Sequence, residues 1–84
     1  MKISKLDKYL ELTEKALKEV KIKDKRAEKL VDMSRRYFSD AKHFKEKGKI
    51  EEAFATVNYA HAFLDAAALL GFLENKDNSL FMVE

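Results

Sequence analysis

Apolar residues recur along this chain at alternating spacings of three and four in three separate stretches, the period of an α-helix with one buried face. In the first stretch Ile3, Leu6, Leu10, Leu17 and Val20 share a seam in which Thr13 fills the missing place, and Leu12 and Ala16 broaden it. The second carries Ala27, Leu30, Val31, Tyr37, Phe38, Ala41 and Phe44, with Ser34 small enough to lie inside the stripe. The third, Ile50 to Leu73, is the most apolar, with Ile50, Ala53, Phe54, Val57, Ala60, Leu64 and Ala68 in line. The pattern predicts an all-α, up-down-up three-helix bundle: a single domain over 1–84 with helices near 4–21, 25–47 and 50–73 and a short apolar C-terminal tail over 74–84.

End signals agree with these boundaries. Ser4 followed by Asp7 has the capping-box spacing of a helix start, and Asp24 is a candidate N-cap for the second helix. Lys45 and Lys47 suit the negative end of that helix, and Gly48 can take the left-handed conformation that closes it. Glu51 and Glu52 then open the third helix at its positive end, so the second and third helices form an antiparallel hairpin.

Composition narrows the function classes. The 84 residues include no cysteine and no proline, which excludes disulfides and thiolate metal sites and leaves packing to hold the fold. Asn58, His61 and Asp65 interrupt the best candidate for a membrane span, and Met1 to Val20 has no apolar signal-peptide centre, so the expectation is a soluble, cytoplasmic protein that makes no use of a membrane. Lysine and glutamate dominate the charges, as in heat-adapted proteins. The net charge of +2 hides an asymmetry: residues 1–49 hold 16 Lys/Arg against 9 Asp/Glu, and residues 50–84 hold 1 against 6. A basic half can attract phosphate, but the i, i+4 pairs Glu11 with Lys15 and Glu14 with Lys18 favour ordinary solvated helix faces.

Tyr37, Ala41, Phe44, Gly48, Ala53, Val57 and Ala60 match the spacing of one tetratricopeptide repeat. There is one copy, Asp40 stands where leucine is preferred and the closing proline is missing, so a repeat array is excluded. The run Tyr37, Asp40, Ala41, Phe44, Gly48, Ala53, Phe54, Tyr59, Ala60, His61, Leu64, Asp65, Ala66 and Gly71 resembles the archaeal domain of unknown function 357 family. The resemblance implies a small helical bundle of archaeal origin and no assigned activity.

Candidate chemistry is confined to a few polar side chains. Asn58, His61 and Asp65 fall on one side of the third helix, and the i, i+4 imidazole and carboxylate can form a hydrogen-bonded pair that raises the histidine pKa, or can share a metal. A second strip, Arg36, Asp40, His43 and Lys47, runs along the edge of the second helix, and the hairpin could bring the strips together. A buried structural pair with Tyr37 or Arg36 as third member outweighs a catalytic or metal role, because two histidines and scattered carboxylates fall short of four zinc ligands. No catalytic residue, metal or cofactor is therefore assigned. Arginine, six residues, then histidine in Arg36 to His43 is also similar to the motif of the HEPN ribonucleases, helical enzymes that act as dimers.

Two functions from different classes follow. The first is a non-catalytic helical interaction module that homodimerises or docks on another protein. The alternative is a nucleic-acid-binding or HEPN-like ribonuclease domain working through the basic half with Arg36, Asp40, His43 and Lys47. For the first, Tyr59, Phe63, Ala66, Leu70 and Leu73 form an apolar face roughly opposite His61, which two bundle neighbours cannot cover. Leu80, Phe81, Met82 and Val83 are the nearest candidates in the chain to cover it, or to help seal a two-fold contact.

Overall fold

The computed structural model describes residues 3–74, with side chains from residue 5 onward. It contains three helices, α1 (Ile3–Glu19), α2 (Ala27–Glu46) and α3 (Ile50–Leu69), with no strand among the described residues beyond one isolated bridge between Ile22 and Leu73. Their directions follow from the contacts. Tyr9 meets Phe54, Thr13 meets His61, and Leu17 packs with Leu64 and Ala67, so α1 runs parallel to α3. Ala41 packs with Ala53 while Val31 packs with Leu64, so α2 runs antiparallel to both. The bundle is up-down-up.

Two apolar clusters make the core. One joins Leu6 and Leu10 of α1 to Ala41, Ala53 and Val57; the other joins Leu17 to Ala27, Val31, Leu64 and Ala67. The alanines Ala27, Ala41, Ala53, Ala60 and Ala67 are completely buried, which lets α2 and α3 approach closely. Thr13, Ser34 and His61, also fully buried, come from the three helices, one each.

Both glycines end helices by the same device. Gly48 and Gly71 have φ of 77° and 76°, and each closing turn carries the paired bonds of a Schellman motif: Lys49 N–H to Phe44 and Gly48 N–H to Lys45, then Phe72 N–H to Ala67 and Gly71 N–H to Ala68. The second motif corrects the expected end of α3. The helix stops at Leu69, four residues short of Leu73, because Gly71 reverses the chain toward the α1–α2 linker. There Lys23 and Asp24 N–H both donate to the Phe72 carbonyl, at 2.8 and 2.9 Å, and Glu74 N–H donates to Lys21 at 2.8 Å.

Other ends also moved. α1 ends at Glu19 and α2 begins at Ala27, two residues later than expected. Asp24 stands two residues before the N-cap position of α2, which is Arg26; it accepts the Arg26 backbone N–H at 2.9 Å and binds the same residue's guanidinium at 2.6 Å. Those bonds pull its carboxyl down to about 2. The Asp7 carboxylate forms an ion pair with Lys45 of α2, while the Ser4 cap and the tail segment with Phe81 lie outside the described side chains.

Candidate functional site

His61 sits in the middle of α3, on the side that meets α1, because residues at about 100° per step place it away from the α2-facing row Ala53, Val57, Ala60 and Leu64. Its Nε2 lies 2.5 Å from Thr13 Oγ1 and 3.4 Å from the Tyr9 carbonyl, and the Tyr9 ring stands edge-on at 5.7 Å. Thr13 Oγ1 is also 2.8 Å from the Tyr9 carbonyl one turn back. With the hydroxyl proton given to that carbonyl, Thr13 accepts from His61 Nε2–H, an assignment made from the network. On the other flank, Ser34 Oγ donates to the Ala60 carbonyl at 2.8 Å and ties α2 to α3.

Asp65 follows one turn after His61 and is 5% exposed. Its charge favours protonated His61, yet burial is the larger effect and pushes the imidazole below its ordinary value, the Tyr9 carbonyl and Asp65 opposing it only in part. The expected upward shift is thus reversed. The imidazole is completely buried between Thr13 and Tyr9 and links α3 to α1.

The anticipated convergence of the two polar strips does not occur. His61 turns toward α1, whereas Arg36 pairs with Asp32 at 3.1 Å on the exposed side of α2, and His43 lies 3.9 Å from Glu46 near the helix end. Asp40 and Lys47 are exposed, and Asn58 is half-buried. Among the described residues, no three His, Asp or Glu side chains come together as metal ligands. Tyr37 joins a different group from the one expected, stacking on Tyr59 at 5.5 Å and 29° and on Phe63 at 5.5 Å and 13°. Sequence reasoning treated Thr13 only as filling the missing place in a seam; a hydroxyl in an otherwise leucine-rich stripe was the available signal.

The outer side of α3 is the other candidate. From Phe54 to Leu70 every side chain that is not buried is uncharged, in a protein whose residues are 38% charged. Tyr59, Leu69 and Leu70 are 59%, 70% and 61% exposed. The anticipated apolar face is rotated, however. Phe63 is half-buried beneath Tyr37, and Leu73, past the end of α3, packs on the second core cluster. The outward row is instead Ala55, Tyr59, Ala62, Ala66 and Leu69, in which Ala66 is half-buried and the others are exposed, with Leu70 beside it. A groove of about 380 Å³ between α1 and α2 is floored by Leu10 and Phe38 and walled by charges of both signs, Asp7, Glu11, Glu14, Lys42, Lys45 and Glu46.

Among the described residues no helix is long and apolar enough to cross a membrane. No curated protein and no solved structure matches the chain. Residues 8–73, which take in most of α1 and all of α2 and α3, match the family described as protein of unknown function (DUF357), and the chain belongs to that family.

Proposed function

We propose that this protein is a non-catalytic helical interaction module that associates with itself through the outer face of α3. The observation that carries the reading is the row of uncharged, solvent-facing side chains from Ala55 to Leu70, centred on a Tyr59 ring held in place by Tyr37. Leaving such side chains in water costs roughly 1.5–3 kcal/mol for each large one relative to burial, and Leu69 and Leu70 are more than half exposed. Self-association suits a surface without charge, because a two-fold contact sets each patch against its own copy. Nucleic-acid binding draws less support: Ile50 to Glu74 contains no Lys or Arg, and Arg36 is engaged by Asp32.

Sedimentation of the full chain tests the proposal. The wild type sediments as a dimer at micromolar concentration, and Leu69→Glu, a change at an exposed position, yields folded monomers with an unaltered circular dichroism spectrum. A wild type that stays monomeric overturns it.

A further inference from the structure

Resting on that reading, we infer that the partner is a second copy whose α3 lies antiparallel to the first, with the two-fold axis passing at Ala62. The outward row Ala55, Tyr59, Ala62, Ala66, Leu69, exposed except for the half-buried Ala66, is spaced four, three, four, three, the repeat of a helix seam that packs knobs into holes. At 100° per residue these five side chains fall within an arc of roughly 80°. Large and small residues alternate unevenly along it, and that pattern selects the register.

About an axis at Ala62, Ala55 faces the second copy's Leu69, Tyr59 faces the second copy's Ala66, and the two Ala62 residues face each other. Each large side chain meets a small one, and the central alanines allow the helices to approach to roughly 8 Å, the short end of helix packing distances. Parallel packing would set Tyr59 against Tyr59 and alanine against alanine, crowding one layer and leaving a void in the next. Tyr59 is preorganised for the antiparallel layer, because its ring already stacks on Tyr37.

Charge points the same way. In this register Glu51 and Glu52, exposed at the start of α3, fall just past the C-terminal end of the second copy's α3, where its chain turns at Gly71 into the segment 72–74. That segment is hydrogen-bonded to the α1–α2 linker, in which Lys21, Lys23 and Lys25 are exposed and the single acid, Asp24, is already paired with Arg26. The acidic end of one α3 thus meets the basic linker of the other, whereas parallel helices would bring four glutamates together.

The native chain has no cysteine, so single introduced thiols report the register without background. In the full-length protein under mild oxidant, Ala62→Cys should form a disulfide-linked dimer quickly, since a bridge needs Cα atoms about 4.4–6.8 Å apart. Ala55→Cys and Leu69→Cys should each remain largely unlinked alone and form the mixed dimer when combined. All three positions are exposed, and circular dichroism checks that each variant folds. Linking of Ala55→Cys to itself as readily as to Leu69→Cys overturns the antiparallel register. Failure of Ala62→Cys to link while the wild type still sediments as a dimer overturns this register and leaves self-association standing. A monomeric wild type overturns both.

Discussion

Replacing Thr13 by valine keeps the shape of a fully buried side chain and deletes one hydroxyl. That hydroxyl is 2.5 Å from His61 Nε2 and 2.8 Å from the Tyr9 carbonyl. Valine fills the same volume, so no cavity term arises, and the Tyr9 carbonyl retains its own helical environment. The cost falls on His61, whose Nε2–H exchanges a short bond for the Tyr9 carbonyl at 3.4 Å. Stranding a buried donor in this way costs about 1–3 kcal/mol. For a domain of this size each kcal/mol corresponds to roughly 4–8 °C in Tm. Urea unfolding followed by circular dichroism at pH 8, where the imidazole is neutral, should therefore show Thr13→Val destabilised by about 2 kcal/mol with an unchanged m value. The double variant Thr13→Val/His61→Leu removes both partners and should lose less than the two single changes added together. A Thr13→Val protein within about 0.3 kcal/mol of wild type, the noise of additivity in such cycles, would refute the idea that this bond docks α1.

The direction of the His61 shift gives a pH dependence: the unfolded imidazole takes a proton near its ordinary 6.5 while the folded one resists, so stability is complete above about 6.5 and is lost as pH falls below it, by up to about 1.4 kcal/mol per pH unit. His61→Leu should flatten that limb between pH 6.5 and 5, and parallel wild-type and variant curves would contradict the assignment. Gly71→Ala meets no neighbouring atom within 4 Å, so its cost is the left-handed backbone alone, about 1–2 kcal/mol in urea unfolding; a neutral substitution would show that the turn is not needed.

The fold was legible because periodicity and glycine placement agreed at every level. The Ala41, Ala53, Val57 and Leu64 stripe and the Gly48 turn were readable from spacing alone. The site was less so, for a physical reason. Spacing on one helix places His61 and Asp65 together but does not say which neighbour His61 faces, and α1 rather than α2 supplies its partner. Likewise the 100° rule found an apolar outer face on α3, but only the position of Tyr37 shows that Phe63 is half covered while Ala62 and Leu69 are left outward. Gly71 was part of the family resemblance, yet its role as a helix end was hidden by the apolar Phe72 and Leu73, which read as a continuing stripe and instead complete the core after the chain has turned.

That turn also governs the order in which the molecule assembles. The α2–α3 hairpin closes through a three-residue connection and needs only local contacts, while the bonds from Lys23 and Asp24 to Phe72 and from Glu74 to Lys21 join segments about fifty residues apart. Loop closure of that length is entropically expensive until the intervening helices are formed. The hairpin is therefore expected to form first and the clasp last, with α1 docking as it closes. The clasp ties the linker after α1 to the segment after α3, and hydrogen exchange should find the amides of Lys23, Asp24 and Glu74, though they belong to loops, protected until the last stage of folding is undone.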